Sequence, residues 1–199
     1  MIGADPDRGS VPDALLRLPD DLPTPTDDGA ADHLVGRAMP IVRLRGTDGS
    51  VLYLSDLPMG RSILFVYPMT AQPTRPLPEG WNDIPGARGC TPQLRSVQDA
   101  HDDLRAAGAV AVYGLSTQDS AFQSEAVRRL GLTYPLLADP TQQVGRALGL
   151  PTFTAGAATF YKRLTVVVQD GVIEHVFYPV FPPDRHVQDV VAWLGSRRW

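Results

Sequence analysis

The only thiol in the 199-residue chain is Cys90. It sits in Ile84-Pro85-Gly86-Ala87-Arg88-Gly89-Cys90-Thr91-Pro92-Gln93, which reads as a turn running into a helix. Pro85-Gly86 marks the turn, and Pro92 fits the first helical position, where a missing N–H costs nothing. The unpaired N–H groups and positive dipole end of such a helix favour thiolate over thiol. Arg88 places a cation two residues upstream of the sulfur. A lone cysteine is often an inert core residue, but turn, cation and helix start together are the surroundings that activate one as a nucleophile. Other chemistry finds little support. His33, His101, His175 and His186 lack metal-ligand spacing, and Asp102-Asp103 reads as a solvated helix face. The chain has no Gly-x-Ser-x-Gly elbow, phosphate loop or dinucleotide fingerprint, so no metal or cofactor is expected. Trp81, Tyr161, Tyr178 and Phe181 suit either a pocket for an organic substrate or the core.

The elements that must hold the thiol follow from periodicity and turn signals. Residues 62–67 form a continuous apolar run of the kind that fills a buried strand, ending at Pro68. A long segment then carries Pro73, Pro76, Pro78, Gly80, Trp81 and Pro85, and loops of that length in compact domains tend to be functional. After the cysteine, Leu94, Val97, His101 and Leu104 mark one face of a helix that Gly108 terminates. Residues 109–115 read as a second buried strand. Ser116-Thr117-Gln118-Asp119 offers caps for a helix with Phe122, Ala126, Val127 and Leu130, stopped by Gly131. A short strand at 134–137 and a short helix at 141–148 follow. Strands at 159–168 and 172–177 join through Gln169-Asp170-Gly171, and 186–194 is a final helix. Upstream, 41–45 and 51–54 flank Thr47-Asp48-Gly49-Ser50 as an N-terminal hairpin. Residues 1–34 are rich in proline and aspartate and read as a flexible arm, with one short helix at 13–17, leaving 35–199 as the domain.

Alternating strands and helices imply an α/β protein with a mainly parallel sheet covered on both faces, made mixed by antiparallel hairpin strands. That order is thioredoxin-like, with the cysteine in the loop after a central strand. A composition of 43% hydrophobic and 20% charged residues is globular. Net charge is −4 and Lys162 is the only lysine, with no basic face, which excludes a nucleic-acid partner. Arg197-Arg198 reads as a solvated tail. No apolar run approaches the ~20 residues that span a bilayer, so no membrane association is expected. The acidic N-terminus lacks the pattern of a secretory signal. With a single cysteine there is no internal disulfide, and a cytoplasmic location is expected.

The motifs resemble those of the peroxiredoxin family. Gly36-Arg37-Ala38-Met39-Pro40 with Leu54-Ser55-Asp56-Leu57 is similar to its first hairpin, and Phe65-Val66-Tyr67-Pro68 to the strand entering its active-site loop. Gly89-Cys90-Thr91-Pro92-Gln93 resembles the peroxidatic segment of the bacterioferritin-comigratory, or Q-type, subfamily. Arg163, in Lys162-Arg163-Leu164-Thr165, matches the family's active-site arginine. The resemblance covers about 35–194. It implies a thiol peroxidase in which Cys90 becomes a sulfenic acid and Arg163 holds thiolate and peroxide, with Pro68, Ala87, Arg88, Gly89 and Thr91 forming the substrate site.

Three departures stand out. Ala87 replaces the family's threonine or serine. Pro68, 22 residues before the cysteine, takes the place of a proline the family keeps seven before, so 69–84 is an insertion. Arg95 stands where many Q-type members carry a resolving cysteine. The implied enzyme is therefore a one-cysteine variant recycled by an external thiol, either a thioredoxin-like protein or a small thiol. Its substrate is hydrogen peroxide or an organic hydroperoxide, and a homodimer is compatible with the apolar 177–183 stretch. Two rival readings are a peroxiredoxin scaffold recruited to a specific organic substrate and a non-enzymatic redox sensor or binding module. If the loop keeps the family geometry, Ala87→Thr should raise the peroxide rate. If the insertion has remade it, position 87 should not face the thiol.

Overall fold

In the computed structural model, β3 (Arg61–Val66) is the strand around which the sheet is built. Its apolar run is buried because alternate side chains serve two cores. Ile63 and Phe65, with Tyr67 just beyond, enter one core, while Leu64 and Val66 enter the other. β4 (Ala109–Ser116) pairs in parallel with β3, and β5 (Leu136–Ala138) in parallel with β4. β8 (Leu164–Gln169) runs antiparallel along β3's other edge and carries β9 (Val172–Phe177). On the far side β5 pairs antiparallel with β1 (Arg43–Gly46), which pairs with β2 (Val51–Tyr53). The order is β2-β1-β5-β4-β3-β8-β9. The expectation of a mainly parallel sheet is thereby corrected. Only the inner three strands run parallel, because both flanks are hairpins and tight turns join antiparallel neighbours. The α/β class and the mixed sheet stand.

The structure describes Leu18, residues 21–73 and residues 75–197. The helix expected at 13–17 and Arg198 of the expected tail lie outside them. α1 (Cys90–Asp99), α2 (His101–Ala106), α3 (Ser120–Leu130) and α5 (His186–Gly195) share the first core through Leu94, Val97, Leu104, Ala126, Val190 and Leu194. The second core takes Val144 and Leu148 from α4 (Gln143–Leu148). The helix expected to run on past Leu104 is interrupted at Ala100 (φ −98°, ψ 12°). Capping follows the sequence signals: the Asp119 carboxylate accepts from the Phe122 N–H at 2.8 Å, and Gly131 ends α3 at φ 63°. Asp170 and Gly171 both have positive φ, as a two-residue hairpin turn requires. Among the described residues, no helix is long and apolar enough to cross a membrane.

Two further expectations are corrected. The strand read as 159–168 is two strands. Its first half is β7 (Ala158–Tyr161), which pairs with β6 (Thr152–Ala155) in a separate two-stranded sheet. Its second half is β8. At the crossing between sheets, the Lys162 N–H donates to the Pro151 carbonyl at 2.8 Å, and Arg163 falls outside both ladders. The described part of the expected arm is docked, not free. Ala31 and Leu34 are buried in the second core, and a His33 ring nitrogen lies 2.8 Å from the Leu148 carbonyl. Arg37 donates to the Leu148 and Ala147 carbonyls at 3.1 Å, serving acceptors that the end of α4 leaves open.

His186 opens α5 inside the first core, with Nε2 at 2.9 Å from Thr165 Oγ1 and its ring edge against Phe65 and Phe177. Burial pushes its pKa down to about 4; Asp189 opposes the shift and the charge of Arg163 adds to it. The unfolded chain takes up this proton near pH 6.5, whereas the folded protein resists it. Stability from a neutral His186 is therefore present above pH 6.5 and lost as pH falls toward 4. Denaturant unfolding at pH 7 and pH 4.5 should differ by about 2–3 kcal/mol on this account. His186→Gln should lose that share of the pH dependence; an unchanged slope in the variant would show that the proton sits elsewhere.

Candidate active site

Cys90 is the first residue of α1, and Gly89 caps the helix in the left-handed region at φ 99°. A side chain at Gly89 is doubly excluded: a Cβ there would clash with Pro183 Cγ and lie 2.9 Å from Leu18 Cδ2. The helix thus begins two residues earlier than Pro92 suggested, and Pro92 occupies its first turn, where the N–H groups have no intrahelical acceptor. The cysteine is 2% exposed. Its sulfur accepts from Arg163 Nη2 at 3.1 Å and from the Met69 N–H at 3.4 Å, and in its thiol form can donate to the Ala87 carbonyl at 3.6 Å. A charged donor, a backbone donor and a helix N-terminus converge on one sulfur.

Arg163 reaches this place because it sits between two sheets, with its guanidinium free of neighbouring strands. It is 3% exposed. Nη1 bonds to Gln93 Oε1, and Nη2 also donates to the carbonyls of Gly86 at 3.2 Å, Ala87 at 3.4 Å and Arg88 at 2.9 Å. One planar fork therefore fixes the loop before the cysteine, the helix after it and the sulfur between.

Of the other sequence candidates, Pro68 lies two residues past β3 and is buried, and the next amide is the one that meets the sulfur. The segment 69–84 therefore begins at the thiol. Thr91 and Gly89 line a cavity of about 70 Å³ beside Cys90, together with Leu18, Met69, Leu77 and Trp81. Arg88 also borders this cavity, but its guanidinium donates to Asn82 Oδ1 at 3.2 Å and makes no bond to the sulfur. The cation expected from Arg88 comes from Arg163 instead. Ala87 is fully buried, with its side chain packed among Trp81, Ala155 and Phe160 and only its carbonyl turned to the thiol. Ala87→Thr should therefore give no gain in peroxide rate and should cost about 1–3 kcal/mol by overpacking. Peroxide kinetics together with denaturant unfolding test this; a faster, equally stable variant would contradict the packing.

Sequence reasoning missed Gln93 and the Met69 amide. Gln93 lies three residues after Cys90 and so on the same helix face, a signal that was available. The Met69 contact needs the insertion to close on itself, which no local pattern announces. The closure is built from Trp81 against Phe160 (4.9 Å between rings) and Phe153, and from buried Thr70, whose N–H donates to Gln118 Oε1 at 2.9 Å. Arg95 is structural: it donates to the Leu130 carbonyl at 3.0 Å and pairs with Asp99. Tyr161 is core, its hydroxyl donating to Asp139 at 2.6 Å.

Comparison with known proteins agrees with the fold. The chain is 28% identical over 162 residues to the chloroplastic peroxiredoxin Q of Oryza sativa subsp. japonica, covering 81% of this chain and 66% of that protein, just under two thirds of its length. The crystal structure of peroxidoxin BcpB from Mycobacterium tuberculosis matches with a TM-score of 0.66 at 24% identity, over 83% of this chain and 98% of that one. A structure bearing on the alkyl peroxide reduction activity of Xanthomonas campestris bacterioferritin comigratory protein matches with a TM-score of 0.62 at 16% identity, over 88% and 98%. Both structures share the thioredoxin-like α/β fold described above. The Redoxin family model matches residues 34–194, from the end of the docked N-terminal segment through the last core residue of α5. The chain belongs to the redoxin family.

Proposed function

We propose that this chain is a one-cysteine thiol peroxidase. The observation that carries the reading is the sulfur of Cys90 at a helix start, held by Arg163 Nη2 at 3.1 Å and the Met69 N–H at 3.4 Å. In the first step the thiolate attacks one oxygen of ROOH and the O–O bond breaks. The sulfur gains that oxygen as a sulfenic acid, and the departing oxygen leaves as ROH after taking up a proton. Arg163 opposes the negative charge that develops on the departing oxygen. Among the described residues, Gln93 Nε2 and Arg163 Nε are buried donors with no protein partner, and both belong to side chains at the site. In the second step two external thiols reduce the sulfenic acid. The first forms a mixed disulfide and releases water, and the second releases Cys90 as thiol and leaves the reductant as a disulfide. Arg95 at the resolving position leaves this work to an outside reductant, which requires a compartment that keeps thiols reduced. The test is consumption of hydrogen peroxide by the intact protein with dithiothreitol in excess. Repeated turnover, with one dithiol oxidised per peroxide, is expected. A single oxidation with no turnover would favour the redox-sensor reading.

A further inference from the structure

We propose that the N-terminal segment, Leu18 with residues 21–31, is a strap that sets peroxide specificity by narrowing the cavity at the thiol. This inference rests on the peroxidase reading. The cavity at Cys90 measures about 70 Å³. On the same measure a water needs about 10–15 Å³, so both oxygens of hydrogen peroxide fit with room to spare, whereas a benzene ring fills a cavity of ~150 Å³. A small peroxide therefore fits beside the sulfur with the walls in place, whereas an aryl hydroperoxide must crowd them.

One wall is Leu18, whose side chain lies against both Gly89 and the cavity. The segment behind it is pinned across the loop that carries the cysteine. Pro25 packs over Gly86, 3.6 Å from where a Cβ would stand. Asp28 accepts from Lys162 Nζ at 2.6 Å and from the Tyr178 hydroxyl at 2.7 Å. Those two partners hold the Asp28 carboxyl well below the usual carboxylate range. Lys162 is the neighbour of Arg163, so the clamp sits one residue from the guanidinium on the sulfur. Ala31 anchors the far end in the second core. Strap, cysteine loop and arginine are thus tied at three places, and Asp28 is the tie that can be cut without touching the reacting groups.

The experiment compares the parent protein with Asp28→Ala and Leu18→Ala on hydrogen peroxide and on cumene hydroperoxide. The parent should prefer hydrogen peroxide. In both variants the ratio of kcat/KM for cumene hydroperoxide to that for hydrogen peroxide should rise by about tenfold, and in Asp28→Ala the rate with hydrogen peroxide should stay within about twofold of the parent. A parent that reduces both equally, or variants with an unchanged ratio, would overturn the strap. Alkylation of Cys90 separates this failure from failure of the peroxidase reading, because it needs no turnover. N-phenylmaleimide should gain on iodoacetamide in both variants by a similar factor. If no peroxide is consumed but the alkylation ratio still rises, the strap stands as a gate over the thiol and the peroxidase reading falls. An unmoved alkylation ratio overturns the strap whatever the peroxide result.

Discussion

Replacing Arg163 with lysine should slow peroxide reduction by about a hundredfold or more while the protein stays folded. The guanidinium bonds to Gln93, to the sulfur of Cys90 and to three successive loop carbonyls, and it is 3% exposed. Lysine keeps a charge but offers one compact donor group on a flexible stem, so it cannot grip helix, loop and sulfur together. An ammonium buried to this degree also tends to lose its proton, which would remove even the charge. The loop carbonyls of Gly86, Ala87 and Arg88 would then lose the donor that now binds them. Single-turnover loss of peroxide, followed beside thermal unfolding, checks this. A variant within about twofold of the parent rate would show that the fork is structural and that other donors carry the charge.

The chemistry-bearing centre of this site was legible in the chain because its signals are local. Gly89 before Cys90 and Pro92 after it mark a helix start whatever surrounds them. Asp119, Gly131 and Asp170-Gly171 likewise act through their own backbone and were read correctly. Arg163 is different: only its resemblance to a family motif singled it out. Its neighbours Thr159, Phe160, Tyr161, Leu164 and Thr165 all favour strands, so residues 159–168 read as one continuous strand. What breaks that strand is non-local, the exchange of partners from β6 to β3. The β6–β7 hairpin escaped notice because Thr152–Ala155 is only four residues long.

Prolines and glycines made the insertion look like a loop and the N-terminal segment look like a free arm. Composition could not show that Trp81 finds Phe153 and Phe160 to pack on, or that Asp28 finds Lys162 and Tyr178. Such contacts join residues up to 150 positions apart. For the same reason Arg88, close in sequence, is not the cation on the sulfur, and Ala87 turns its carbonyl to the thiol and its methyl group away into the aromatic cluster.

The largest effect expected of any substitution is that of Cys90→Ser. Serine differs by one atom and fits the same 2% exposed site, so the fold should persist with little change. A hydroxyl there has no ionised form near neutral pH to attack the O–O bond, and the donors around it would hold a poor nucleophile. With no other cysteine in the chain, no second sulfur can take over. The decisive measurement mixes the reduced protein with one equivalent of hydrogen peroxide, follows peroxide loss, and traps the product with dimedone for peptide mass analysis. The parent should consume its equivalent and carry one dimedone adduct, on Cys90, while Cys90→Ser should consume peroxide no faster than buffer. Equal consumption by both proteins, or oxidation found on methionines with Cys90 unmodified, would contradict the assignment of this sulfur as the peroxide-reducing nucleophile.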